Sequence, residues 1–86
     1  MPYQVILSNA ANKQLRKLPF QIAQRIQAQL FELENDPRPV GCKKLVGVEA
    51  WRIRISDYRV IYEIHDNNLL VSVIEIGHRK EIYKNK

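Results

Sequence analysis

The chain has 86 residues and carries 14 lysine and arginine residues against 9 aspartate and glutamate residues, for a formal net charge of +5. This length predicts a single domain over residues 1–86 with one hydrophobic core, and the basic balance favours an acidic or polyanionic partner. The single cysteine, Cys42, excludes an intrachain disulfide, and no cysteine or histidine cluster has the spacing of a zinc site.

The chain opens on a predicted strand. Tyr3 to Leu7 is strand-like, and its apolar run, Val5-Ile6-Leu7, is far too short to cross a membrane. A lone cysteine fits a reducing compartment. We therefore expect a cytoplasmic protein that enters no membrane.

Two helices are predicted next. Ser8 or Asn9 is a candidate N-cap for a first helix that runs to about Lys17. Pro19 ends this helix, because proline disrupts the helix interior. Residues 20–35 then carry apolar side chains at helical spacing, which predicts a second, amphipathic helix.

The second half of the chain predicts a meander of strands. A loop of Asp36-Pro37-Arg38-Pro39 is followed by a short apolar and lysine segment between Gly41 and Gly47. Alternating strands are predicted at about residues 50–55, 58–65 and 69–76, joined by short polar turns. The resulting β-α-α-β-β-β order predicts an α+β fold, in which two N-terminal helices pack on one face of a small, mostly antiparallel, twisted sheet.

The first hairpin of this meander places arginines on one face. Arg52 and Arg54 alternate with apolar residues, so they point away from the packed side of the strand. If Ser56 and Asp57 form a two-residue turn, Arg54 lies directly opposite Arg59. Like charges opposite each other destabilise a sheet, so we expect an anion to neutralise them, and phosphate is the natural candidate.

Several short segments, weak individually but specific in their order and spacing, carry a family signature. They are Leu15-Arg16-Lys17-Leu18, Asp36-Pro37-Arg38, Lys44-Leu45-Val46-Gly47, Trp51-Arg52-Ile53-Arg54-Ile55, Tyr58-Arg59-Val60-Ile61-Tyr62 and Ile76-Gly77-His78-Arg79-Lys80-Glu81-Ile82-Tyr83. In these segments the chain resembles the RelE/ParE superfamily of toxins from type II toxin-antitoxin systems, and it is closer to the RelE branch.

The resemblance implies an endoribonuclease that enters the ribosomal A site and cuts the mRNA codon there, with no metal or other cofactor. The 2′-hydroxyl attacks the adjacent phosphate, so the site needs a base, cations for the developing phosphorane charge and an acid for the leaving oxygen. The implied partners are the ribosome, mRNA and a RelB-like antitoxin that covers the basic face in a hetero-oligomeric complex.

Most candidate site residues are basic. Arg59 and Arg79 match arginines that the family resemblance implies steady the scissile phosphate, and we expect both to be exposed. Tyr83 lies near the position of a family tyrosine that stacks on or orients the substrate. The candidate catalytic residues are Arg54, Arg59, His78, Arg79 and Tyr83, and the candidate RNA contacts are Arg52, Lys43, Lys44 and Lys80.

Two side chains are candidates for the proton acceptor. Some family members carry lysine where this chain has Arg52 and Arg54, and arginine is a very poor general base because it stays protonated. His78 is one candidate, since histidine titrates near neutrality. Glu63 is the other, because it shares strand parity with Arg59.

Other interpretations fit the same residues. A ParE-type toxin would share the fold but inhibit DNA gyrase, and a catalytically weak member would only bind RNA or its antitoxin. Each arginine is also compatible with a solvated side chain or one paired with Glu63, Glu75 or Asp57. Trp51, Tyr58 and Tyr62 have the parity of the buried face, so we expect them in the core.

Overall fold

The structure is a computed structural model that describes residues 2–78, and within this range two α-helices accompany one five-stranded sheet. The elements in chain order are β1 (Gln4–Leu7), α1 (Asn9–Arg16), α2 (Phe20–Leu33), β2 (Lys43–Lys44), β3 (Trp51–Ile55), β4 (Tyr58–His65), a 3₁₀ turn (Asp66–Asn68) and β5 (Leu70–His78).

The sheet has the strand order β1-β5-β4-β3-β2. β1 pairs parallel with β5, and the other neighbours pair antiparallel. The predicted α+β fold is therefore confirmed. The structure adds β2, whose two residues are too few to show strand alternation in the sequence, and it extends β5 to His78.

Local capping explains where α1 begins. The Ser8 hydroxyl accepts a hydrogen bond from the backbone N–H of Ala11 at 3.0 Å, which satisfies one of the first free amides of the helix. The predicted N-cap is thus confirmed at Ser8. α1 ends at Arg16, ahead of Pro19, and buries Ala11 and Leu15 against the sheet.

α2 ends two residues before the predicted limit of residue 35, at Leu33. The amides of Glu34 and Asn35 bond to carbonyls three residues back, so the last turn tightens. Pro37 follows, and the residue before a proline is disfavoured in helical geometry. The helix therefore stops where the Asp36-Pro37 sequence requires extended backbone.

The core lies between the helices and one face of the sheet. Trp51 and Tyr58 pack partly buried against it, and Tyr62 is fully buried, as their strand parity predicted. Buried core residues come from both layers and are Ala11, Leu15, Ile26, Leu30, Leu33, Ile53, Ile55, Val60, Tyr62, Val71, Val73 and Ile76. The two helices therefore do not cover the opposite face of the sheet.

The loop after α2 is tied to the sheet by polar contacts. The buried hydroxyl of Tyr62 donates to the Pro37 carbonyl at 2.8 Å. Arg38 pairs with Asp66 at 2.9 Å and lies 5.2 Å above the ring of Trp51. The Tyr3 hydroxyl donates to the same carboxylate at 2.6 Å. These contacts hold the loop that leads into β2.

The helices described in residues 2–78 are too short or too polar to cross a membrane.

Candidate nucleic-acid interface

The hairpin of β3 and β4 has the predicted register. Arg54 pairs with Arg59, and Ser56 takes a positive φ of 57° in the tight turn between the strands. Arg52 pairs with Ile61 on one side and with Lys43 of β2 on the other. Paired residues on antiparallel strands point to the same side, so Lys43, Arg52, Arg54 and Arg59 share the sheet face opposite the helices. We call this surface the arginine face.

Burial differs among these arginines. Arg54 is exposed and Arg52 is half-buried. Arg59 is only 3% exposed, so the expectation that it is exposed was wrong. Arg59 has a strand partner on each side, Arg54 and Gly77, whereas β2 ends before it reaches Arg54. The Arg59 Nη1 atom donates to the Tyr58 carbonyl at 3.5 Å.

The cross-strand partners of Arg52 and Arg54 are not carboxylates. Within residues 2–78, the ion pairs are Arg38–Asp66, Lys44–Glu49 and His65–Glu63, and none of them includes Arg52 or Arg54. The alternative in which Glu63 pairs with Arg52 or Arg54 is therefore not observed in this part of the chain.

The two lysines of β2 have different surroundings. Lys43 is exposed and pairs with Arg52, which places it on the arginine face. Lys44 pairs with Trp51, whose parity is that of the opposite face, and its ammonium group lies 2.9 Å from Glu49. Of these two candidate RNA contacts, the structure brings only Lys43 together with the arginines.

A groove of about 330 Å³ runs along the edge of β3 beside these cations. β2 pairs only with Trp51 and Arg52, and Ile53 and Arg54 of the uncovered part of β3 border the groove. The lining residues are Gln29, Pro39, Val40, Gly41, Lys43, Arg52, Ile53 and Arg54. Three cationic side chains and one neutral amide therefore face a space that can take a phosphate backbone.

His78 lies on the other side of the sheet. It pairs with Tyr58, and the two rings meet edge to face with centroids 5.5 Å apart. It also lines a cavity of about 410 Å³ with Lys17 of the α1 end and Pro19. The residue opposite Arg59 is Gly77. The structure therefore does not bring the His78 imidazole to the arginine face.

Glu63 shares a face with Arg59 but lies far along the strand. The two lie four positions apart, which is about 13 Å at about 3.3 Å per residue. The Glu63 carboxylate lies 3.2 Å from the His65 imidazole. Neither predicted proton acceptor is thus a neighbour of the arginine pair. The other candidate residues, Arg79, Lys80 and Tyr83, lie outside the described residues.

One acidic residue on the arginine face was not identified from the sequence as a site residue. The pairing of β4 with β5 shifts by one residue between Ile61 and Tyr62, so that Tyr62 pairs with Val73 but Ile61 pairs with Glu75. Ile74 is the extra residue of this β-bulge. The bulge directs Glu75 to the arginine face. The signal in the sequence is the broken alternation of Val73-Ile74-Glu75-Ile76.

No group of three or more histidine, cysteine, aspartate or glutamate side chains in the described part of the chain is arranged to hold a metal ion.

Comparisons with known proteins give one consistent family. The profile described as the ParE toxin of the type II toxin-antitoxin system parDE matches residues 5–83. Toxin RelG of Mycobacterium tuberculosis is 32% identical, over 98% of this chain and 99% of the relative. The mRNA interferase toxin RelE of Escherichia coli is 31% identical, over 96% of this chain and 92% of the relative.

Solved structures agree. The archaeal RelE-RelB complex from Pyrococcus horikoshii superposes with a TM-score of 0.83 at 28% identity, covering 92% of this chain and 97% of the matched chain.

Proposed function

The chain belongs to the ParE toxin family of type II toxin-antitoxin systems and is a RelE-type toxin, and on this premise we propose that it is a ribosome-dependent endoribonuclease that cuts mRNA in the ribosomal A site. Its relative from Escherichia coli bears the name mRNA interferase. The observation that carries the proposal is the direct pairing of Arg54 with Arg59 on a sheet face that the helices leave uncovered. Two guanidiniums side by side are stable when an anion lies between them.

The proposed reaction is attack of a 2′-hydroxyl on the adjacent phosphate of the mRNA. The nucleophile belongs to the RNA itself, so the reaction needs no metal ion to generate it. The protein has to stabilise the charge that develops on the phosphate oxygens. The planar donors of arginine match pairs of phosphate oxygens, which suits Arg54 and Arg59 to this task.

The burial of the two arginines divides their roles. Arg54 is exposed and binds the scissile phosphate as the mRNA enters the site. Arg59 is buried, so its charge is already oriented before RNA binds and costs little reorganisation in the transition state. Arg52 and Lys43 line the groove beside them and hold neighbouring phosphates.

Three residues outside residues 2–78 complete the proposed site on the strength of the family resemblance. Arg79 supplies a further cation to the scissile phosphate, Tyr83 stacks on a base and Lys80 contacts the RNA backbone. Lys44 is a weaker RNA contact than Lys43, because its ammonium is already engaged by Glu49.

The partner that restrains the toxin is a RelB-like antitoxin. The Pyrococcus horikoshii relative was solved in a complex of RelE with RelB. With a net charge of +5 and three cations along one groove, this toxin favours an antitoxin segment rich in acidic residues. We propose that this segment covers the arginine face and so excludes RNA.

The test is to add the purified protein to a reconstituted translation reaction and to map mRNA ends by primer extension. The proposal requires new ends within A-site codons, dependent on ribosomes and lost in the Arg54→Ala variant. Intact mRNA with normal translation would refute it. Ends that also appear on naked RNA would refute the ribosome dependence alone. Ribosome binding without new ends would indicate a catalytically weak member.

Inhibition of DNA gyrase is the second candidate function. It is favoured by the description of the matching family profile, which names the ParE toxin. A gyrase supercoiling assay separates the two: a ParE-type toxin would block supercoiling and leave mRNA intact. In that case Arg54 would be an ordinary surface residue, and Arg54→Ala would retain toxicity.

A further inference from the structure

We infer that Glu75 is a catalytic residue of this site and accepts the proton of the attacking 2′-hydroxyl. This inference rests on the proposed function, because it assigns a step of that reaction. It also supplies the group that the arginines cannot provide, since a guanidinium has no acceptor for a proton whereas a carboxylate does.

The β-bulge decides which way Glu75 points. Val71 and Val73 are buried on the helix side of β5, so strict alternation would direct residue 75 into the core as well. The extra residue, Ile74, reverses the alternation. Ile76 then becomes a fully buried core residue and Glu75 pairs with Ile61 on the arginine face. Bulges commonly re-aim a side chain next to an active site.

Two side chains of the α1 region bind the backbone on either side of Glu75. The Ser8 hydroxyl donates to the Ile74 carbonyl at 2.9 Å, and the Ile76 amide donates to the Gln14 side-chain oxygen at 2.7 Å. β1 pairs with β5 only as far as Val73, so no β1 residue reaches these backbone groups, and the two side chains satisfy them. The orientation of Glu75 is therefore held by the helix layer and is not a loose feature of the strand.

The register places Glu75 beside the phosphate-binding arginines. Arg52, Ile61 and Glu75 form one cross-strand row, and Arg54, Arg59 and Gly77 form the next. Glu75 is thus the diagonal neighbour of Arg59, at about 7–8 Å between backbone positions. That separation allows a phosphate on the arginines and a ribose hydroxyl near the carboxylate. Glu75 is half-buried, so substrate can reach it.

The step balances without a further reactant. The 2′ oxygen forms a bond to phosphorus while its proton passes to the Glu75 carboxylate. The bond from phosphorus to the 5′ oxygen breaks, and the departing oxygen takes a proton from water. The hydroxide left by that water recovers the proton from Glu75. The products are a 2′,3′-cyclic phosphate and a 5′-hydroxyl end.

The test compares Glu75→Gln, Glu75→Asp and the wild type in single-turnover cleavage of mRNA on programmed ribosomes. Asp57→Asn is the matched control, because it removes one carboxylate charge from the exposed turn of the same hairpin. Two further quantities are measured for each variant. The first is the affinity for ribosomes that carry an mRNA with 2′-deoxy sugars in the A site, which cannot be cut. The second is the free energy of unfolding in urea.

We expect Glu75→Gln to slow cleavage at least about 100-fold, the usual loss on removing a general base. Its affinity and stability should match the wild type, Glu75→Asp should recover part of the rate, and Asp57→Asn should cut normally. Unchanged cleavage in Glu75→Gln would overturn the inference, as would a loss explained by weaker binding or unfolding. A wild type that cuts nothing would instead refute the proposed function, and this inference with it.

Discussion

Arg54 and Arg59 lie directly opposite each other on neighbouring antiparallel strands, yet one is exposed and the other is only 3% exposed. The exposed member can therefore be removed with little effect on packing, whereas the buried member cannot. This difference decides which variant tests function and which also tests stability.

The first prediction concerns Arg54→Ala. Removing one donor to a developing oxyanion typically costs about 100-fold or more in rate, and we expect that loss in A-site cleavage. The free energy of unfolding should stay constant or rise by up to about 1 kcal/mol, because a like-charge pair is relieved. Cleavage assays and urea unfolding measure both effects.

Arg25→Ala is the control for that variant, since Arg25 is an exposed arginine on α2 and its loss changes the net charge equally. It should cut mRNA as the wild type does. Equal losses in the two variants would show that net charge, and not the arginine pair, governs the activity.

The second prediction concerns Arg59→Ala. This substitution removes a buried side chain from a strand flanked on both sides, so we expect a loss of about 1–3 kcal/mol in the free energy of unfolding. Loss of cleavage in this variant alone would not assign a role to Arg59. Arg59→Lys keeps the charge and most of the stem, and it should lose cleavage while retaining more stability. An Arg59→Ala protein as stable as the wild type would contradict the observed burial.

The third prediction concerns the Tyr62 hydroxyl. Its buried bond to the Pro37 carbonyl is 2.8 Å long, and burial raises the pKa of Tyr62 above its ordinary value. Tyr62→Phe leaves that carbonyl unsatisfied, so we expect a loss of about 1–3 kcal/mol in urea unfolding. Tyr58→Phe is the matched control, because the Tyr58 ring packs against the same core without a hydroxyl bond in the described residues. Equal stability of the two variants would refute a stabilising hydrogen bond from the Tyr62 hydroxyl to Pro37.

The fourth prediction concerns acid stability. Hydrogen bonds from Arg38 and then Tyr3 hold the pKa of Asp66 below its ordinary value of 3.8. A carboxyl group whose pKa is lower in the folded state than in the unfolded state stabilises the fold at any pH above its unfolded-state pKa. That stability is lost as the pH falls through the folded-state pKa. The wild type should therefore exceed Asp66→Asn in stability at neutral pH, and the difference should shrink below about pH 4. A difference that is constant from neutral to acidic pH would contradict the ionic contact.

The fifth prediction concerns His78. Because its ring contacts Tyr58 on the helix side of the sheet, we expect His78→Gln to leave the rate of cleavage unchanged. Loss of a general acid or base typically costs about 100-fold or more. A loss of that size with normal stability would show that His78 takes part in catalysis.

The features that could be predicted from the sequence are those set by neighbouring residues. Alternation over residues 51–62 and a two-residue turn determine the pairing of Arg54 with Arg59, and this pairing was confirmed. The sequence also limited the N-cap of α1 to Ser8 or Asn9, because a cap depends on a side chain and an amide a few residues apart, and the structure shows Ser8. The segregation of helices and strands in the sequence likewise determined the α+β class.

Only the tertiary structure decided which side chains of the arginine face become neighbours. The burial of Arg59 follows from the two strands that flank β4, and alternation within one strand does not reveal its flanks. The position of Glu75 follows from a bulge whose backbone is bound by Ser8 and Gln14, residues more than 60 positions away in the chain. A single extra residue reverses the faces of a strand, because side chains alternate with a period of 2. Local pattern therefore predicts the strands and their arginines, whereas long-range hydrogen bonds determine which carboxylate stands beside them.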